Sequence, residues 1–264
     1  MTELSIIIPA RHEPYLQNTI NSLLSAAVGE IEIIAVLDGW WPSPIIEDNP
    51  RVILIHRGAT FGMRSAINSA ARIAKGKYLM KCDAHCAFDK GFDKKLSADL
   101  KENWLSVPIR YSLDFREWEP QWNKMYEFEY IAYPDLKGRR WPEYAKRVEG
   151  QTIVDLMTFQ GSCWFIHRGY FERIGGLDDV NYGSMGREAQ EMCLKVWTSG
   201  GRCILNRNTW YAHWSKGKKD IKFSNRKEKQ KSVEYAQIYW TETKIRPIIE
   251  RFAPVPTWGE NESE

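Results

Sequence analysis

Asp83 and His85 close the segment Gly76-Lys-Tyr-Leu-Met-Lys-Cys-Asp-Ala-His-Cys86 and offer an oxygen and a nitrogen donor two residues apart. Strand residues two apart project to the same side, so an extended chain here aims both donors at one point. A mixed oxygen and nitrogen set suits a divalent ion of the Mn²⁺ or Zn²⁺ kind better than the all-oxygen shells of Mg²⁺ or Ca²⁺. A bare D-x-H also occurs in surface turns, so its neighbours carry the decision. Glu13 and Asp38 follow the first two apolar runs. Acids there accept hydrogen bonds from a ribose or a base N–H, or they cap turns. Arg64, just after Gly62, reaches a phosphate from a helix start or lies along the surface. Glu188 and Glu191 share a helix face, as a base with a hydrogen-bond acceptor or as a charged surface. His213, between Trp210-Tyr211-Ala212 and Trp214, reads as a packed imidazole when taken alone.

These residues need a scaffold, and the hydrophobic pattern supplies one. Apolar runs at residues 4–9, 31–37, 51–56 and 76–83 alternate with helical patterns at about 15–27 and 62–74. Strands alternating with helices predict a parallel, three-layer α/β domain whose strand ends form the ligand crevice. The pattern dissolves over 104–151, which is rich in charge, in proline and in tryptophan (Trp104, Trp118, Trp122, Trp141). It resumes with a strand over 159–166, helices over 170–174 and 188–199, and a short strand over 202–206. Pro247, Pro254 and Pro256 with an acidic end predict a loosely held tail. The expected organisation is one domain over 1–217. Within it lie a nucleotide-sugar half (1–100), a Trp-rich acceptor-side insert (104–157) and an acceptor and metal half (158–217). A basic helical segment and tail over 218–264 follow.

Composition excludes several classes. The chain has 264 residues, 43% hydrophobic and 27% charged, with no apolar run long enough to span a membrane. Its amino terminus begins a strand at once and lacks a signal-peptide pattern. Five cysteines without a C-x-x-C pair read as reduced thiols, which predicts a cytoplasmic protein. The first strand is followed by Pro9-Ala-Arg11-His-Glu13-Pro14 and not by G-x-G-x-x-G, which argues against NAD, and the missing G-x-x-x-x-G-K-[ST] excludes a P-loop. Net charge is +3, but Lys216–Lys231 holds eight basic and two acidic residues and so carries +6. Such a block is a solvated segment or attracts a phosphate-bearing partner.

In order along the chain, these pieces resemble the nucleotide-sugar glycosyltransferases of GT-A fold: Rossmann-like, with a mostly parallel central sheet and helices on both faces. LSIIIPARHEPYLQNTINSLL, EIIAVLDG and GMRSAINSAARIAKGKYLMKCDAHC are similar to the first blocks of the family 2 enzymes. The likeness is closest to the polypeptide N-acetylgalactosaminyltransferases, whose D-S-H-C metal motif corresponds to Asp83-Ala84-His85-Cys86. Gln160 to Asp178, and Met185-Gly-Arg-Glu-Ala-Gln-Glu191, resemble their downstream blocks. The resemblance implies that Pro9, Arg11, Glu13, Asp38, Arg64 and Asp83 line the site of a UDP-sugar. Asp83, His85 and His213 would bind Mn²⁺ (or Mg²⁺), and Glu188 and Glu191 would serve catalysis at the sugar or the acceptor hydroxyl.

Ala189 stands where these families carry Asn or Asp, so the implied base is Glu188 or Glu191, or the reaction retains configuration without a protein base. The expected function is metal-dependent sugar transfer to a hydroxyl. The basic block and the tryptophans point to a hydroxymethylated base in DNA, as in bacteriophage enzymes acting in the host cytoplasm. A protein Ser/Thr or glycan acceptor, a nucleotidyltransferase and a non-catalytic nucleotide-sugar-binding module are the other readings.

Overall fold

The structure is a computed structural model and describes residues 2–216 and 226–256. The basic block therefore lies partly outside the described residues, as do the last eight positions. The chain runs β1 (Leu4–Ala10), α1 (Leu16–Ala26), β2 (Ile31–Asp38), β3 (Val52–Arg57), α2 (Met63–Ile73), β4 (Tyr78–Cys82), β5 (Cys86–Phe88) and α3 (Phe92–Ala98). It continues with β6 (Trp104–Asp114), β7 (Glu119–Tyr126), β8 (Glu129–Ala132), β9 (Lys137–Arg140), α4 (Pro142–Arg147), β10 (Ile153–Asp155), β11 (Cys163–His167) and α5 (Arg168–Arg173). The last elements are α6 (Glu188–Thr198), β12 (Arg202–His213), α7 (Arg226–Tyr239) and α8 (Glu242–Phe252).

Among the described residues the main sheet has the order β10-β12-β6-β11-β4-β1-β2-β3, with β5 added to β12 and β7 to β6. The half over β3, β2, β1 and β4 is parallel, as continuous apolar runs require when both faces are covered. Beyond it β11 runs antiparallel to both β4 and β6, so the sheet as a whole is mixed. Alternation divides its side chains between two cores. Ile7, Ile34, Val36 and Leu79 pack with α2, α6 and α8. Ile6, Ile8, Ile33 and Met80 pack with α1 and α3 on the other face. Each such fully buried aliphatic side chain contributes about 1.5–3 kcal/mol.

Two expectations change. The stretch 104–151, expected as irregular, supplies β6, which lies between β11 and β12 inside the sheet. Pro108 and Arg110 hide this strand from a reading of apolar runs. The expected loose tail is instead packed through α8, whose Ile245, Ile248 and Phe252 recur at helical spacing and are buried. Pro247 sits inside that helix at the cost of one backbone hydrogen bond. Among the described residues all five cysteines are free and buried, and no helix is long and apolar enough to cross a membrane.

Candidate metal centre

β4 ends at Cys82, so Asp83 to His85 form a turn and not the extended pair that the spacing suggests. The turn still converges, for a different reason. Asp83 N–H donates to the Ser162 carbonyl at 2.9 Å, which fixes the start of the turn against the segment leading into β11. Cys86 then pairs with His213 at the end of β12, and Trp214 N–H donates to the His85 carbonyl at 3.1 Å. Two histidines distant in sequence are thereby held side by side. Their Nε2 atoms lie 3.2 Å apart, and His213 Nε2 lies 3.2 Å from Asp83 Oδ2. His85 Nε2 is 4.0 Å from the same oxygen. One donor atom from each of the three residues falls within 4.8 Å of the others, a spacing at which a single divalent ion can be shared.

Surrounding groups orient these donors. His85 Nδ1 is 3.0 Å from Glu13 Oε2, so its proton belongs on Nδ1 and its Nε2 lone pair faces the cluster. Glu13 is in turn held by Lys216 Nζ at 2.5 Å. Burial lowers the His213 pKa to about 4, which keeps it a neutral nitrogen donor near pH 7. Arg110 donates to His213 Nδ1 at 3.2 Å and to Ser215 Oγ at 3.1 Å. An ion at His213 Nε2 would place the imidazole proton on Nδ1, leaving Ser215 as the partner of Arg110.

Lys81 was not singled out in the sequence, and it anchors the carboxylate. Its Nζ donates to Asp83 Oδ1 at 2.8 Å, to the Gly161 carbonyl at 2.6 Å and to Glu188 Oε2 at 3.3 Å. Burial alone would lower its pKa, but Asp83 and Glu188 hold it above the ordinary lysine value. Burial would likewise raise Asp83, yet Lys81 and the His213 hydrogen bond keep it well below the carboxylate range. Asp83 is thus ionised, with Oδ1 held by Lys81 and Oδ2 presented to the imidazoles. The available sequence signal was a lysine inside an otherwise apolar strand buried on both faces.

The other candidates divide. Glu188 reaches this network but is committed to it: Trp164 Nε1–H donates to its Oε1 at 2.8 Å, and burial raises its pKa. Arg64 and Glu191 are both fully buried and pair with each other at 2.9 Å, away from the cluster. Glu191 also accepts from Lys195 and from Asp178 N–H, while Arg64 binds the Gly186 carbonyl and stacks over Tyr182. Neither shows solvent an atom with which to hold a ligand. Asp38 takes the turn-capping alternative. It accepts from Phe61 N–H at 3.0 Å, Gly62 N–H at 2.9 Å and Arg57 at 3.2 Å. Pro9 lies within β1 opposite Val36, and Arg11 follows that strand directly before the Glu13 turn. An aromatic wall flanks the cluster: Trp214 stands edge-on to His85 at 6.0 Å and to Tyr15 at 5.0 Å, with Phe115 at 5.1 Å.

An α/β sheet with a carboxylate and two imidazoles at its strand ends defines a class of ligand-binding α/β proteins, and the comparisons narrow it. The family model described as glycosyl transferase family 2 matches residues 5–175, and the chain belongs to that family. It is similar to the probable N-acetylgalactosaminyltransferase 7 of Caenorhabditis elegans, 24% identical over 224 residues, which cover 76% of this chain and 37% of the relative. It is also similar to polypeptide N-acetylgalactosaminyltransferase 3 of Mus musculus, 27% identical over 224 residues, covering 75% and 34%. The chain thus spans about a third of the length of these curated relatives. Its fold matches the crystal structure of GalNAc-T7 with UDP, GalNAc and Mn²⁺ at a TM-score of 0.77 and 19% identity, over 98% of this chain and 52% of that one.

Proposed function

We propose that the chain is a metal-dependent glycosyltransferase that moves a sugar from a UDP-sugar to a hydroxyl acceptor. The observation that carries this reading is the convergence of Asp83, His85 and His213 at the strand ends of a family 2 chain. The donor set fits the group: two imidazole nitrogens and an ionised carboxylate suit Mn²⁺. Asp83, His85 and His213 would hold the ion, which when bound neutralises charge on a departing diphosphate. Lys81 fixes the carboxylate, Glu13 fixes the His85 tautomer, and Trp214 flanks one side of the cluster edge-on to His85. Support for UDP comes from the ligands named for the structural relative.

A protein hydroxyl or a glycan is the acceptor class that the named relatives favour. The DNA reading rests on the basic block, of which residues 217–225 lie outside the described structure. Two described lysines of that block are engaged within the fold, Lys216 with Glu13 and Lys231 with the Val180 carbonyl. The test is a donor screen, beginning with UDP-GalNAc, that reads UDP release with Mn²⁺ or with EDTA. Protein, glycan, plain DNA and hydroxymethylated DNA serve as acceptors. Mn²⁺-dependent release supports the proposal. Tight UDP-sugar binding without release under any condition would instead support a non-catalytic binding module, and pyrophosphate release from a nucleotide triphosphate would support a nucleotidyltransferase.

A further inference from the structure

The two imidazoles of the candidate metal centre are held in opposite ways. A histidine that ligates a metal ordinarily donates its other ring N–H to a carboxylate, a backbone carbonyl or water. His85 has that arrangement, with Glu13 Oε2 3.0 Å from its Nδ1. His213 has the reverse: its Nδ1 faces Arg110 Nη2 at 3.2 Å. A guanidinium carries N–H donors and no acceptor, so Nδ1 of His213 is the bare nitrogen. In a neutral ring the proton then lies on Nε2. There it faces Asp83 Oδ2 and His85 Nε2, each 3.2 Å away. The ring nitrogen turned towards the other two candidate ligands is thus the one that these contacts keep protonated. The fold aims Arg110 at this position. β6 and β12 run parallel with Arg110 opposite Tyr211 and Ser112 opposite His213, so Arg110 and His213 project from the same face. Arg110 is held there by stacking over Tyr126, its neighbour on β7, at 4.6 Å, and by Ser215 Oγ at 3.1 Å.

We propose that Arg110 is a positioning residue that locks His213 in the tautomer unable to ligate a metal, an inference that rests on the metal-dependent reading above. For the ring to offer Nε2, one proton must pass from Nε2 to Nδ1, with none gained or lost. The new Nδ1–H then meets the Arg110 N–H, donor against donor. The bond between Arg110 and His213 breaks, and Ser215 remains as the partner of Nη2. Arg110 therefore opposes loading, and it sets the affinity of the site below what Asp83, His85 and His213 alone would give. A weaker site lets the ion exchange.

The experiment compares wild type with Arg110→Met, both as the full chain. NMR of the ring nitrogens in EDTA near neutral pH reads the His213 tautomer, with the His213→Gln spectrum identifying the signal. Calorimetry reads Mn²⁺ binding. Wild type is expected to carry the proton on Nε2, and Arg110→Met to shift it towards Nδ1. Arg110→Met should also bind Mn²⁺ about tenfold more tightly or better, the scale of one lost hydrogen bond to a charged group. The sign is diagnostic, because removing an ordinary orienting partner weakens metal binding by about 10–100-fold. Wild type with the proton on Nδ1 overturns the lock whatever the variant does. So does Arg110→Met that binds Mn²⁺ no more tightly than wild type. Tighter binding with the tautomer unchanged also overturns it, the lost positive charge then being the cause. Each of these results leaves the transferase reading standing. If wild type binds no Mn²⁺, the metal-dependent reading fails and the lock falls with it.

Discussion

His85 and His213 face each other Nε2 to Nε2 at 3.2 Å although 128 residues separate them. The short ladder of β5 on β12 brings them there, and Asp83 completes the set. His213→Ala and Asp83→Asn are each expected to abolish Mn²⁺-dependent UDP release and weaken Mn²⁺ binding at least about tenfold. Circular dichroism should stay native. Normal Mn²⁺ affinity in His213→Ala would remove that residue from the ligand set.

Lys81 neutralises two carboxylates inside the sheet. Lys81→Met leaves Asp83 and Glu188 facing each other without a cation, a loss of about 3–5 kcal/mol on the scale of broken buried ion pairs. Thermal denaturation should show a Tm lower by roughly 10 °C. Adding Glu188→Gln to that variant should recover part of the loss, because the two residues are coupled. Additive effects would show that Lys81 acts independently of Glu188.

Arg64 distinguishes a ligand contact from a structural clamp. Paired with Glu191 and fully buried, it ties α2 to α6. Arg64→Met should lower stability by about 3–5 kcal/mol, while donor KM of the folded fraction stays unchanged. A large rise in donor KM at unchanged Tm would assign Arg64 to the donor phosphates after all.

Stability of the metal-free protein should depend on pH through His213. Its folded pKa of about 4 lies below the ordinary histidine value, so on acidification the unfolded chain takes up the proton first. Stability from this residue is therefore complete above about pH 6.5, and about 3 kcal/mol is lost as pH falls towards 4. Urea unfolding of wild type and His213→Gln across that range, in EDTA, measures the difference. Parallel curves would refute the assignment.

Legibility in the sequence followed the physics of each element. β1, β2 and β4 are buried on both faces, so their apolar runs are continuous and plain. β6 is also central, yet Pro108, Arg110 and Tyr111 break its run because that strand carries side chains towards the site. The candidate metal ligands were legible through D-x-H and the family resemblance, although a turn and not strand alternation aligns them. Lys81 and Arg110 were not. A charged side chain within a strand ordinarily signals a solvated face, and only the packed fold reveals that these two turn towards the site. Arg64 and Glu191 show the converse: residues read as ligand contacts prove to be each other's partners.

The position of β11 bears on how this chain acquires its shape. It sits between β4 and β6 and runs against both, although it follows each of them in sequence by tens of residues. A growing polypeptide that has emerged only as far as β6 therefore exposes the β4 border and both borders of β6, because β11 and β12 both come later in the chain. Such borders recruit other chains. The gap between β4 and β6 closes when Cys163–His167 arrives, and the far border of β6 is covered later still by β12, so sequence changes that slow the docking of β11 should raise aggregation during synthesis without altering the finished fold.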